Sequence, residues 1–481
     1  MTVKHFIHKQ GNVSKILAIA ALLLAAVNTG AVQFTKLFEF SVTNGACPFA
    51  GLVLSGNTLY GTTEVGGTGI NANGATDGTG TIFRINTNGT GFTTLYNFSS
   101  NTNGGGFGSN ADGADPFAGL VLSNNVLYGT ASEGGTYGCG TVYKVNSDGT
   151  GFATLHNFGS EEDFPTDGLL PYAGLVLSSN TLYGMTSWGG FWNEEIPDSS
   201  GTIFKINTNG TGYTVLHRFA APTGAGGGTL VNSDGATPRS GFVLSNNTLY
   251  GVTLTGGSDA AGTVFKINTD GTGFTVLHTF SGGNDGGSPV GSLTLSGNTL
   301  YGTASGGGSY GNGTIFKINT DGTGFTNLFN FNGDNGAGPV GDLVLSGNIL
   351  YGATSSGGAG VGTVFKVNND GTGFTNLYSF PWNPTTGDAP DGGDPTAGLV
   401  LSGNTLYGTA GTVFALTLSG VPIPLNIQLI GTHVVLSWSD PTFYLQAAPL
   451  VSGVYTNVPG AASPYTNAIT GSEIFFRLRA D

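Results

Sequence analysis

Residues 33–41 read QFTKLFEFS, and six later stretches repeat that pattern: FTTLYNF (92–98), FATLHNF (152–158), YTVLHRF (213–219), FTVLHTF (274–280), FTNLFNF (325–331) and FTNLYSF (374–380). Each later copy closes a longer repeat, whereas the first has no repeat in front of it. Three further segments recur in fixed order, seven times each. The first is GLVLS (51–55), matched at 119–123, 174–178, 241–245, 292–296, 342–346 and 398–402. The second is a TLYG element centred on Tyr60, Tyr128, Tyr183, Tyr250, Tyr301, Tyr351 and Tyr407. The third is GTIFRIN (80–86), with matches starting at 140, 201, 262, 313, 362 and 411. We label the four segments a, b, c and d.

Short apolar runs separated by Gly, Asn, Asp and Ser indicate strands, not helices. Two-residue links such as Gly56-Asn57 join a to b, and Asn88-Gly89 or Asp148-Gly149 turns join c to d, so each repeat reads as an antiparallel meander. One meander cannot bury both faces alone; several arranged around an axis can. The seventh repeat, GLVLSGNTLYG…GTVFALT, stops at Thr417 with a, b and c but no d. The lone d strand at Phe34–Phe40 supplies the missing member. We therefore expect an all-β fold: a seven-bladed β-propeller closed by its N-terminal strand, which leaves no open sheet edge at the seam.

Within that frame, the segment DGADPFAGLVLSNNVLYGTASEGGTYGCGTVYKVNSDGTGFATLHNF (112–158) resembles the GloVer tandem-repeat family of bacterial exported proteins. The resemblance extends over about 34–417 and rests on LYGT, GG, GTVFK and the DG turn recurring in order. It implies export and a tandem-repeat ectodomain, and it implies no catalytic residues.

Lys4, Lys9 and Lys15 precede the apolar run ILAIAALLLAAV (16–27), and Gly30 and Ala31 follow it, the layout of a secretory signal peptide ending near residue 31. The propeller is then expected over 32–419. The segment 420–481 alternates apolar and polar residues between turns and reads as a small immunoglobulin- or fibronectin-like β-sandwich with Trp438 in its core. No integral membrane segment is expected after the leader, and the chain is expected to be a monomer.

Without residues 1–31 the chain carries 11 basic against 28 acidic residues, a net of −17. Phosphate recognition needs clustered Lys and Arg, so nucleic acid is excluded as a partner. Cys47 and Cys139 form the single possible disulfide pair in an exported chain.

The a–b and c–d turns should share one face of the ring, and the long, irregular b–c and d–a loops the other. Loop variation on a rigid scaffold marks a binding surface. The least regular loop, SWGGFWNEEIPDSSG (187–201), sets Trp188, Phe191 and Trp192 beside Glu194 and Glu195. The preceding d–a loop adds Glu161, Glu162 and Asp163, and Trp382 lies in the loop between blades 6 and 7. Flat aromatic faces and carboxylates suit sugar rings and their hydroxyls. The d–a loops share Asp/Asn-Gly-x-x-Pro, with Asp112, Asp167, Asp234, Asp285 and Asp391 in five blades and Asn44 and Asn335 in two. These can be read as a calcium-binding ring or as Asx turns; interchangeable Asp and Asn favour the turn. His156, His217 and His278 occupy the place of Phe38, Tyr96, Phe329 and Tyr378 in other d strands and read as repeat positions, not a metal cluster. No Ser–His–Asp order, HExxH or phosphate loop occurs. No catalytic residue, metal or cofactor is assigned. The expected function is non-catalytic binding of a polysaccharide or surface protein through the long-loop face. A glycoside hydrolase or lyase using Glu194, Glu195 or Glu161–Asp163, and a structural or adhesive envelope component, are the alternatives.

Overall fold

The computed structural model describes residues 32–68, 78–101, 108–159, 166–190, 200–221 and 231–418, together with the tail segments 426–430, 433–437, 443–448, 456–458, 464–468 and 475–480. The leader and Trp438 lie outside the described residues.

Six four-stranded antiparallel sheets follow one another in simple a-b-c-d order. In blade 1 the strands are Val53–Ser55, Thr58–Thr63, Thr81–Asn86 and Thr93–Asn97. The seventh sheet is composite. Strands Val400–Ser402, Thr405–Thr409 and Thr412–Thr417 are completed by Gln33–Glu39, which pairs along the outermost of them. The orphan d strand therefore closes the ring, as the repeat pattern requires.

Each blade is cut to one template. In strand b the Gly of TLYG is set by the aromatic of strand c: a Cβ on Gly61 would lie 2.6 Å from Phe83 Cζ. Phe83 and its counterparts Phe204, Phe265, Phe316 and Phe365 are fully buried between neighbouring blades. Strand d carries a β-bulge against strand c, placed between Ile82 and Phe83 in blade 1 and repeated at the same point in blades 2–6. The bulge bends the outer strand and turns its rings toward the next blade.

Those rings form a circumferential stack. The fifth residue of each d strand stacks on the first ring of the next: Phe38 on Phe92, Tyr96 on Phe152, His156 on Tyr213, His217 on Phe274, His278 on Phe325 and Phe329 on Phe374, with centroids 3.6–3.9 Å apart. Tyr378 on Phe34, at 4.4 Å, completes the circle across the seam. Such pairs add about 0.5–1.5 kcal/mol each beyond the area they bury.

Bridges between the loops settle the two faces. Ala46 pairs with Val65, Ala114 with Glu133 and Leu169 with Trp188, so the d–a and b–c loops of a blade lie side by side. On the opposite face Thr87 N donates to Asn57 O, tying the c–d turn to the a–b turn.

The tail is described separately. It contains a three-stranded antiparallel sheet of Asn426–Ile430, His433–Ser437 and Tyr465–Ala468, and another of Thr456–Asn457, Phe443–Ala448 and Phe475–Ala480. No helix among the described residues is long and apolar enough to cross a membrane.

Candidate functional site at the channel mouth

The Asp/Asn-Gly-x-x-Pro motif resolves into a latch. Asp112 Oδ2 accepts from Tyr96 Oη at 2.7 Å and from Ser99 N at 2.9 Å. Asp167, Asp234 and Asp285 each meet a histidine Nε2, from His156 at 3.1 Å, His217 at 2.9 Å and His278 at 3.2 Å. Asp391 takes the Tyr378 hydroxyl. Where strand d offers a ring without a donor, at Phe38 and Phe329, the latch residue is Asn44 or Asn335, which keeps the turn by accepting from Ser41 N at 2.8 Å or Asn332 N at 2.9 Å. A half-buried carboxylate needs its donor, and an amide opposite Phe avoids an unpaired charge. The calcium-ring reading gains no support: each latch residue has an oxygen that serves the chain's own donors, although Asp112 Oδ1 is buried without a partner, and no group of three metal-ligating side chains is found among the described residues. The histidines are latch members, which agrees with their reading as repeat positions.

Two residues beyond the latch Gly, each blade places a residue with positive φ before proline: Cys47, Asp115, Leu170, Thr237, Ser288 and Asp394 at 51–56°, and Gly338 at 60°. The conformation has an architectural cause. The N–H of this residue reaches the previous blade, as in Asp115 N to Thr79 O at 3.0 Å and Leu170 N to Cys139 O at 3.0 Å. Its carbonyl accepts from its own b–c loop, as in Ser132 N to Asp115 O at 3.1 Å.

The proline then turns the chain into strand a, and the next side chain stands at the mouth of the central channel. Around the ring these residues are Phe49, Phe117, Tyr172, Arg239, Val290, Val340 and Thr396. The channel encloses about 440 Å³. Phe49 and Phe117 lie 5.6 Å apart, Phe117 meets Tyr172 edge-on at 5.5 Å, and the Arg239 guanidinium sits 4.9 Å from the Tyr172 ring centre. One side of the mouth is thus a half-buried aromatic arc, and the other is aliphatic. Deeper in, the wall is Gly51, Gly119, Gly174, Gly241 and Gly398 in five blades, with Ser292 and Asp342 in the other two. Ser292 N donates to Asp342, and Gly241 N donates to Ser292 Oγ at 3.0 Å. Asp342 touches channel solvent, yet the crowding walls raise its carboxyl above the usual range by desolvation.

Three carboxyls stand beside the aromatic arc. The bridge between Ala114 and Glu133 sets Glu133 next to Asp115, and the bond from Asp115 to the blade 1 loop brings Glu64 near. Burial, then the charges of Glu133 and Glu64, push Asp115 up to about 8. Glu64 is raised by desolvation and then by Glu133, and Glu133 by desolvation. All three act electrostatically on Tyr172, opposing Arg239.

The expected blade 3 site is described only in part. Trp188 is half-buried, with its backbone paired to Leu169. Phe191, Trp192, Glu194, Glu195, Glu161, Glu162 and Asp163 lie outside the described residues. Trp382 is 47% exposed on the loop between blades 6 and 7, well round the ring from Trp188. Cys47 and Cys139, the one possible disulfide pair, are free thiols in this structure. Cys47 precedes Pro48 at the inner loop, whereas Cys139 Sγ lies against Tyr137 O at 3.4 Å and packs on the core between blades 2 and 3.

Sequence reading passed over the channel-mouth residues. Their signal was available: the residue after the motif proline runs Phe, Phe, Tyr, Arg, Val, Val, Thr, a variable place within a regular repeat.

These features define a seven-bladed β-propeller built from one tandem repeat, with an asymmetric central channel. The Gloeobacter/Verrucomicrobia repeat matches residues 105–236 and 227–417, and the chain belongs to that family. No curated protein matches it. Among solved structures, it is similar to an oligogalacturonate lyase in complex with manganese, at 13% identity and a TM-score of 0.49 over 81% of this chain and 94% of that one. An oligogalacturonate lyase from Vibrio parahaemolyticus matches at 11% identity and a TM-score of 0.46, covering 81% and 98%. A nidogen/laminin complex matches at 14% identity and a TM-score of 0.35, covering 65% and 89%.

Proposed function

We propose that the protein is an exported, non-catalytic binding propeller that holds a polysaccharide at the channel mouth on its long-loop face. The observation that carries this reading is the arc of Phe49, Phe117 and Tyr172 opening on the channel. A concave site with apolar planes and a few convergent polar groups is the usual form of a small-ligand pocket. Sugar rings present apolar faces to aromatic planes, and their hydroxyls suit carboxylate and hydroxyl partners. Export rests on the leader pattern at 4–31, and a surface protein is the alternative partner for the same face.

The test is a glycan-binding panel on protein 32–481, run with Phe117→Ala/Tyr172→Ala and with Trp188→Ala/Trp192→Ala. Saturable binding lost in the first pair alone supports the channel mouth. Loss in the second pair alone moves the site to blade 3, and binding of no glycan rejects the reading. A hydrolase or lyase reading draws on one observation, the raised carboxyl of Asp115 beside two other carboxyls, which is the environment of a general acid. Turnover of any bound glycan that Asp115→Asn abolishes would establish it.

A further inference from the structure

Among the described side chains lining the channel, only Arg239 at the mouth and Asp342 in the wall carry charge, and they are of opposite sign. Neither belongs to an ion pair among the described residues. Both break the repeat. Arg239 stands where the other blades have an aromatic, valine or threonine side chain, and Asp342 stands where they have glycine or serine. Asp342 is walled in by protein yet open to the channel. It accepts from Ser292 N at 2.5 Å, and no cation faces it. A carboxylate so enclosed calls for a countercharge. Arg239 does not supply it, because its exposed guanidinium lies over the Tyr172 ring, 4.9 Å from the centre. Stacked by its face, a guanidinium keeps its N–H edges free for a carboxylate.

Depth separates the two charges. Arg239 precedes Gly241 by two residues, and Gly241 is the blade 4 counterpart of Asp342. Two residues of extended strand span roughly 7 Å. We propose that the channel binds an ω-amino carboxylate of lysine length, with its carboxylate on Arg239 and its ammonium on Asp342. The carboxyl carbon and terminal nitrogen of such a chain lie roughly 7.5 Å apart when extended. The backbone charges of an α-amino acid lie too close together to reach both groups. The methylene stem passes between the arc of Phe49, Phe117 and Tyr172 and the aliphatic side of the mouth, which bury it from water. A metal ion suits the channel less well: one carboxylate is far short of the oxygen shell that calcium takes, and Arg239 would be left unused. Free lysine and the C-terminal lysine of a polypeptide present the same chemistry. The inference goes beyond the polysaccharide reading and does not rest on it.

The experiment is calorimetric titration of protein 32–481 with 6-aminohexanoate, hexanoate and hexylamine at fixed ionic strength. The expected result is saturable binding of 6-aminohexanoate, with the two singly charged analogues at least tenfold weaker. Asp342→Asn and Arg239→Gln should each weaken 6-aminohexanoate at least tenfold. Asp148→Asn/Asp270→Asn, on the exposed turns of the opposite face, should change affinity less than twofold. A thermal melt confirms that each variant is folded; if Asp342→Asn is not, Arg239→Gln at the exposed rim decides. Lysine and Nα-acetyl-lysine then separate the sources: tighter binding of the acetylated form supports a polypeptide C-terminus, and tighter binding of lysine supports the free amino acid. No binding of 6-aminohexanoate, equal binding of a singly charged analogue, or unchanged affinity in the folded channel variants would overturn the inference. If a panel glycan binds and 6-aminohexanoate does not, the polysaccharide reading stands and this inference falls. If 6-aminohexanoate binds as expected and no glycan does, the reverse holds.

Discussion

Replacing Phe34 and Phe38 by Ala should open the propeller at its seam. Phe34 stacks on Tyr378 in blade 6, and Phe38 stacks on Phe92 in blade 1, so the two rings fasten the closing strand on both sides. Both are half-buried. A fully buried Phe→Ala change costs about 3–5 kcal/mol, so half-burial puts each near 2 kcal/mol. Four residues apart on a strand, they sit about 13 Å from one another and their effects should add. The expected loss is about 4 kcal/mol, roughly 5 °C in a cooperative unit approaching 400 residues. The loss should be local first. Once strand Gln33–Glu39 lifts, the backbone of Thr412–Thr417 becomes a free edge, which invites pairing with another chain. Hydrogen exchange should quicken in 412–417 before blades 2–5 respond, and light scattering should show dimers or larger species. Supplying the peptide 32–41 to a chain that starts at residue 42 should restore protection. Unchanged exchange in 412–417, with an unchanged melting temperature, would refute the closing role of this strand.

Three further outcomes follow from the same contacts. Asp234→Asn should cost about 1 kcal/mol in a urea melt, because His217 loses its partner at 2.9 Å in a partly screened site. His217→Phe/Asp234→Asn, which recreates the Phe329–Asn335 latch, should recover most of it, and simple additivity of the two changes would refute the latch. Asp115 is raised from 3.8 to about 8, so folding takes up a proton there: its contribution is full below pH 4 and is lost as pH rises toward 8. Asp115→Asn should therefore flatten stability between pH 4 and 8 and raise it at pH 9 by about 1–3 kcal/mol, after allowance for its coupling to Glu133 and Glu64; a variant that tracks the parent across that range would contradict the assignment. Reducing agent should leave the melting temperature unchanged, because Cys47 and Cys139 are free thiols.

The fold was legible because its determinants are local and repeated seven times. Strand period, turn chemistry and the order a-b-c-d all sit in short windows, and the unmatched d strand at 34–40 carried the one non-local fact, the closure. The latch was half legible. Asp or Asn in the d–a loop and Tyr, His or Phe in strand d were both visible as repeat positions. What ties them is that donors face Asp and Phe faces Asn in every blade, and that rule emerges only once the two positions are known to touch. The channel mouth was hidden for the opposite reason. Loud loops such as 187–201 draw attention by composition, whereas Phe49, Phe117, Tyr172 and Arg239 sit singly, one per blade, between 55 and 68 residues apart in sequence. Closing the ring brings them together, because each follows a proline that delivers it to the axis. In a repeat protein the architecture resides in what stays constant from blade to blade. At this mouth, the position that varies is the one that faces the channel, and the loss of repetition there is what gives one side of a near-symmetric ring its aromatic arc.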